Sequence, residues 1–429
     1  MNNTEFNQIY QNGLTRTQKQ VLNCFLAGQT DQEILEEIQA SDRTVIIKHI
    51  KNICHKFGLK ESSNWRDSLL ELFIKYHQSH LINSQLLKNH GFAPISHLPG
   101  GVEPPNSPYY IERENCESRC YEEMTNPGVL IKIKSPKQMG KTSLIKRIIK
   151  EAENHNYYVV ELNLKLIDRE KLTNIYTFLR GFYAYFASEL ELAAKLKTWD
   201  QDLSITVQCT NQMKQTLKNL DNNLILILDE VDVLFPFPEI YQNFFPMLRV
   251  WFENTRCEEL WEKLRLIIAY STEDYGKLDV SQSPFKNVGS TIKLEEFTLE
   301  EVRKLAFNHN IKIADAQAIM KMIGGHPYLI RIAFHNLYHN LVTINDLLTN
   351  WETIKKIYHD HLEAILLILE KEPELLIAFK QILNHTFDPS KSTEKIIYQL
   401  EGLGLIKILG KEIKIRCKLY QLYFSDRLK

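Results

Sequence analysis

Residues 135–142 read Ser-Pro-Lys-Gln-Met-Gly-Lys-Thr and stand between an aliphatic run, VLIKI at 129–133, and an amphipathic stretch, SLIKRIIKEA, whose Leu144, Ile145, Ile148 and Ile149 form an apolar stripe at helical spacing. A strand that turns through a short loop into a helix points several main-chain N–H groups at one spot, and the helix dipole adds partial positive charge there. Such a cradle stabilises a polyanion, so the segment predicts a phosphate-binding loop. Lys141 would reach the β and γ phosphates of a nucleoside triphosphate, ATP being the natural choice, and the Thr142 hydroxyl would ligate magnesium. Ser135, Pro136, Lys137, Gln138, Met139, Gly140 and Ser143 complete the expected contact set. The usual pattern is GxxxxGK[ST], and Ser135 stands where its first glycine falls. That departure is tolerable if φ at Ser135 is negative, and it predicts altered loop geometry more than lost binding.

A second motif strengthens the first. In LILILDEVD at 224–232, five aliphatic residues read as a buried strand with Asp229 at its carboxyl end, where open α/β sheets bind their ligands. Asp229 is expected to hold magnesium through water. Glu230 suits the additional-strand class of P-loop ATPases, in which such a glutamate polarises the attacking water. The ninety or so residues between the motifs leave room for one further strand, which YVVELNL at 158–164 supplies. The strand LRLIIAY at 264–270 ends in Ser271, Thr272 and Glu273, beside the Asp229 strand. The Ser271 and Thr272 hydroxyls either sense the γ phosphate or cap the segment that follows. Pro327 opens a helix after Gly324-Gly325-His326; its functional reading is a lid loop against the adenine, with Arg331 one turn on and available to the phosphates. Arg249 and Arg256 are candidate fingers for a neighbouring subunit, against the plainer reading of surface ion pairs.

At 429 residues the chain exceeds what one core usually organises. The expected architecture is multidomain α/β: an all-helical helix-turn-helix unit over 1–85, a linker over 86–108, a P-loop core with a parallel sheet over 109–297, a helical lid over 298–345 and a winged helix over 346–429. The linker carries GFAPISHLPGGVEPPNSP, whose prolines and glycines oppose regular structure. TIKL at 291–294 is the fifth strand, and the winged helix is read from a helix followed by two short strands flanking Gly410. The composition, 44% hydrophobic and 24% charged with a net charge of −1, excludes a disordered chain and a general polycation. Seven scattered cysteines make a disulfide framework unexpected and fit a reducing cytoplasm; Cys116 and Cys120 lack the second pair that zinc sites usually bring. No apolar stretch reaches the ~18 residues that a membrane span needs, and the N-terminus has no signal-peptide pattern.

The predicted helix from about Thr44 to Phe57 places Ile46, Ile50, Ile53 and Phe57 on one face. Opposite lie Arg43, Thr44, Lys48, Lys51, Asn52, His55 and Lys56, able to meet phosphates or base edges. Four basic residues give a salt slope of only about −4, Glu33, Glu36, Glu37 and Asp42 offset them, and Ile47 is exposed on the same side. Two readings stay open: duplex DNA bound by several copies together, or a partner-protein surface.

The segments YIER at 110–113, PKQMGKTSL at 136–144, LDEVD at 228–232, YSTEDYGKLDVSQSPFKNVG at 270–289, LEEFTLEEV at 294–302 and GGHPYLIR at 324–331 together resemble the bacterial AAA-like ATPase domain of the STAND group. The resemblance spans about 108–345. It implies a nucleotide switch with slow hydrolysis between a closed state and an open, oligomerising one, with Tyr110, Ile111 and Arg113 near the base and Pro327 closing on it. Residues 14–59 are similar to the LuxR-type helix-turn-helix, notably in Leu14-Thr15, Gly28, Thr44-Val45, Lys48-His49, Asn52-Ile53 and Lys56-Phe57-Gly58. Similar units occur on AAA-like proteins linked to bacterial vWA–MoxR systems, regarded as signalling or conflict modules. The function expected is an ATP- and Mg2+-binding, slowly hydrolysing switch that couples nucleotide state to homo-oligomer assembly and to DNA or partner binding. The alternatives are a DNA-remodelling ATPase of the initiation or transposition type, and a nucleotide-gated scaffold with little hydrolysis.

Overall fold

The computed structural model describes residues 3–428 apart from 60–63, 76–81, 83–85, 87–97, 114, 193–198, 200–201, 276–284, 286, 390–392 and 411. Residues 87–97 of the linker, and Ser283, Pro284 and Lys286 of the SPFKNVG segment, therefore lie outside the described residues. The chain divides into two compact units: residues Met1–Ile111, Thr298–Ala318 and Arg331–Leu347 form the first, and Glu112–Phe297, Ile319–Ile330 and Leu348–Lys429 the second. The segment read as a helical lid thus contributes to both.

In the first unit, helices α1 (Asn3–Gln8), α2 (Arg16–Leu26), α3 (Asp31–Glu37), α4 (Arg43–Lys56) and α5 (Trp65–Lys75) surround one apolar core. Thr15 and Thr30 each close a capping box, with Gln18 and Glu33 as the reciprocal partners. Gly28 and Gly58 take positive φ of 77° and 68° where α2 and α4 end, a conformation that costs glycine little. The stripe of α4 is buried as its spacing requires: Ile46, Ile50, Ile53 and Phe57 are at most 3% exposed and pack with Val21, Leu22, Phe25 and Ile34. The same unit contains α12 (Leu299–Asn308), the start of α13 (Ile313–Ile323) and most of α14 (Pro327–Tyr338).

The second unit is built on a parallel five-stranded sheet of β1 (Leu130–Ser135), β2 (Tyr158–Asn163), β3 (Leu224–Asp229), β4 (Leu264–Ser271) and β5 (Ser290–Lys293), in the order β2-β3-β4-β1-β5. Each predicted strand is present, shifted at its ends by one or two residues. YVVELNL lies at the outer edge, beside β3, and the strand inserted in space between the phosphate-loop strand and the aspartate strand is β4. Both faces of β3 are buried. Leu224, Leu226 and Leu228 join Phe178, Phe182, Phe244 and Trp251 from α8 (Ile175–Glu189) and α10 (Pro238–Asn254). Ile225 and Ile227 join Ile131, Ile133, Leu144, Ile145 and Ile148 on the face covered by α6 (Glu117–Thr125) and α7 (Lys141–Asn154). That two-sided burial explains why β3 reads as an unbroken aliphatic run. Between β2 and β3 runs α9 (Ile205–Asn219), and α11 (Thr272–Tyr275) follows β4.

The C-terminal part of this unit contains α16 (Trp351–Lys371), α17 (Pro373–Leu383) and α18 (Glu394–Gly402), after the short α15 (Ile344–Thr349). An antiparallel pair, β6 (Ile406–Leu409) with β7 (Glu412–Ile415), and α19 (Lys418–Arg427) complete it. No described helix is long and apolar enough to cross a membrane.

Candidate functional site

The loop between β1 and α7 turns through two left-handed residues, Gln138 (φ 60°) and Gly140 (φ 94°), and Ser135 is the last residue of β1. The position that usually holds glycine is therefore extended strand here, where a serine side chain costs nothing. The first helical residue of α7 is Lys141, so its unpaired N-terminal amides face the loop. Lys141 is 7% exposed and its ammonium donates to the main-chain oxygens of Ser135 (3.2 Å) and Pro136 (3.0 Å). Burial lowers its pKa, and the carboxylates of Glu230, Asp232, Glu273 and Asp229 act against that shift.

Across the loop, the Thr142 hydroxyl donates to Asp229 Oδ2 at 2.9 Å, while Asp229 Oδ1 accepts from the Glu230 main chain. Asp229 is 1% exposed, and burial raises its pKa against the Thr142 hydrogen bond. A hydroxyl and a carboxylate oxygen side by side at a phosphate loop are the hard donors that magnesium takes, with water and phosphate completing its shell, so the residues fit that ion. Glu230 sits in left-handed backbone (φ 57°); its Oε1 pairs with Lys165 Nζ at 2.8 Å, and its buried Oε2 has no partner among the described residues.

Ser271 is 1% exposed, its hydroxyl unpartnered among the described residues and its N–H donated to Asp232 Oδ1 at 2.8 Å. The Thr272 hydroxyl instead donates to the carbonyl of Gly402 at 2.8 Å. Three loop residues are tied to their surroundings. The Lys137 N–H and ammonium both meet Glu273, at 3.0 and 2.9 Å. Gln138 Oε1 meets His361 Nδ1 at 2.7 Å, and His361 Nε2 meets the Tyr420 hydroxyl at 2.7 Å. Met139, 1% exposed, offers its carbonyl to the Arg113 guanidinium, which also donates to Glu295 O and lies over the Phe297 ring. Ser143 is buried in the first turn of α7.

Tyr110 and Ile111 are buried in the first unit. Arg331 belongs there too: its guanidinium is held by Glu103 (2.6 Å) and His309 (2.7 Å) and stacks on Tyr109. Pro327 opens α14 directly after the buried His326. Arg249 pairs with Glu253 one turn along α10, and Arg256 lies over Phe252. Sequence reasoning missed Lys165, Asp232, His361 and Tyr420, and named Glu273 at the end of its strand without giving it a role. Only Asp232 had a signal, three residues after Asp229 in the same motif.

On α4, Thr44, Lys48, Lys51, Asn52 and His55 are exposed, as is Ile47 at 45%. Arg43 is paired with Asp31 (2.5 Å), and the Lys56 ammonium donates to Gly13 O and Gln18 Oε1. Two of the four cations thus have partners inside the unit.

A parallel sheet with a phosphate loop after β1, an acid at the end of β3 and β4 between them defines a P-loop protein of the additional-strand class. Residues 98–426 match the AAA-like domain family, and the chain belongs to that family. Residues 12–65 match the bacterial regulatory proteins of the luxR family, which makes the N-terminal helices a LuxR-type helix-turn-helix. No curated protein matches the chain. Among solved structures, the fold is similar to a Walker-type ATPase of Pyrococcus abyssi, with 15% identity over 76% of this chain and 98% of that one and a TM-score of 0.52. The ORC2 protein of Aeropyrum pernix, solved with ADPNP and ADP, matches at 14% identity over 78% and 94% of the two chains, TM-score 0.47. DnaA of Aquifex aeolicus bound to AMPPCP matches at 15% identity over 69% and 79%, TM-score 0.36.

Proposed function

We propose that the chain is an ATP- and magnesium-dependent switch of the STAND kind, in which nucleotide state governs assembly and, through assembly, the binding of duplex DNA by the helix-turn-helix. The observation that carries this reading is the 2.9 Å contact between the Thr142 hydroxyl and the buried Asp229 carboxylate beneath the N-terminus of α7. The loop amides and Lys141 would bind the phosphates once Lys141 leaves the carbonyls of Ser135 and Pro136. Thr142 and Asp229 would hold magnesium, which when bound neutralises developing phosphate charge. Glu230 would accept a proton from the attacking water after release from Lys165, and that requirement accords with slow turnover.

The C-terminal helices with the β6–β7 pair are read as a winged helix that senses the loop through His361 and Tyr420. The exposed Lys48, Lys51, Asn52 and Thr44 support a phosphate- and base-contacting face, and the engagement of Arg43 and Lys56 supports weak binding by one copy. The test is calorimetric titration with ATP, ADP and magnesium, followed by light scattering in each state with and without duplex DNA. Wild-type chain that binds nucleotide but keeps one size and one DNA affinity throughout would overturn the switch.

A further inference from the structure

A phosphate loop binds anions because its main-chain N–H groups converge without a protein acceptor. One of those groups already has an acceptor. Glu273, in the short helix that follows β4, receives the Lys137 N–H on Oε1 (3.0 Å) and the Lys137 ammonium on Oε2 (2.9 Å). The carboxylate is only 10% exposed and bridges a loop residue 136 positions away. It stands toward that loop as a phosphate would: a compact anion taking a main-chain amide and a lysine together.

The amides from Gly140 to Ser143 at the helix start are the ones that the inner phosphates of a nucleotide would take. The Lys141 ammonium, which would answer the outer phosphates, is acted on by the carboxylates of Glu230, Asp232, Glu273 and Asp229. Glu273 is anchored there from behind. Its neighbour Thr272 donates to Gly402 O (2.8 Å), and a Cβ at Gly402 would lie 2.5 Å from Thr272 O, so α11 and α18 are in backbone contact.

Resting on the triphosphate reading above, we propose that Glu273 is a nucleotide-discriminating residue: its carboxylate holds the loop donors that a terminal phosphate would take, so a triphosphate must displace it and a diphosphate leaves it in place. Displacement moves α11 against α18 and carries the presence of the third phosphate into the C-terminal region. Glu273 therefore sets the ratio of ATP to ADP affinity, and does so by like-charge exclusion.

The experiment titrates full-length wild-type chain, Glu273→Gln and Glu273→Ala with Mg-ADP and with a Mg-bound non-hydrolysable ATP analogue. Glu273→Gln keeps the shape and an oxygen acceptor for the Lys137 N–H while removing the charge. The expected result is about tenfold tighter binding of the analogue with ADP affinity changed less than about twofold, and the same direction for Glu273→Ala, whose folding is verified by its melting temperature. An unchanged affinity ratio in both variants, or an equal gain for both nucleotides, overturns the proposal. If wild-type chain binds neither nucleotide, the nucleotide reading itself fails and this inference falls with it; the wild-type titration thus separates the two failures.

Discussion

Lys141 and Asp229 bring opposite charges to the site, and their removal should differ in kind. Lys141→Ala takes away the ammonium that would answer the outer phosphates, a charge-assisted contact of about 2–3 kcal/mol; calorimetry should show nucleotide affinity falling roughly 30- to 150-fold with or without magnesium. Asp229→Asn keeps the Thr142 contact but loses the charge. Its defect should appear only when magnesium is present. Glu230 makes a third case. Glu230→Gln should leave binding intact while single-turnover hydrolysis falls by about 10²-fold or more, trapping the triphosphate form; hydrolysis at the wild-type rate would remove Glu230 from the chemistry. These three positions were legible because strand, loop and helix are contiguous in sequence, so the chain's own local geometry delivers them. Lys165 and His361 were not, since their partners arrive through the tertiary fold and an isolated lysine or histidine carries no signature; Glu273 was placed at its strand end, but its hold on Lys137 was not.

At the level of elements, apolar runs revealed all five sheet strands; two-faced burial is the reason for the central β1, β3 and β4, whereas the edge strands β2 and β5 are only partly buried. Sequence placed the 264–270 strand beside the aspartate strand, as β3 and β4 pair, but did not reveal the full order: that β4 also borders β1 follows from helix crossovers, which hydrophobic patterning does not encode. Trp251 of α10 is fully buried in the aromatic layer beneath β3 and stacks on Trp261. Trp251→Ala should cost about 3–5 kcal/mol, measured by denaturant unfolding. The Gln138–His361–Tyr420 chain adds a pH dependence. Burial lowers the pKa of His361 from 6.5 to about 4, so the folded state binds fewer protons than the unfolded one between those values. The stability from the neutral ring is therefore complete above pH 6.5 and is lost as pH falls toward 4. His361→Gln should flatten the melting-temperature profile in that window, beside the contributions of the buried His326 and His309, whose pKa values burial also lowers.

For the whole molecule, a net charge of −1 means that any DNA affinity must come from local groups multiplied by assembly. If assembly supplies the copies, DNA affinity should rise with protein concentration in the ATP-analogue state, and its salt slope should exceed the about −4 of a single α4. Lys48→Ala with Lys51→Ala should abolish that binding while leaving nucleotide affinity unchanged. Binding that stays flat across nucleotide states would turn the exposed face of α4, with Ile47 at its centre, toward a protein partner instead.

The contact between Gln138 and His361 spans 223 residues, and Tyr420 lies 59 further on. Synthesis runs from the N-terminus, so the ribosome exposes the loop long before it makes the side chains that hold the loop's tip. A nascent chain stopped short of Tyr420 would have its anion cradle without this restraint. A stretch translated long after the loop would thus set the starting condition of the phosphate site.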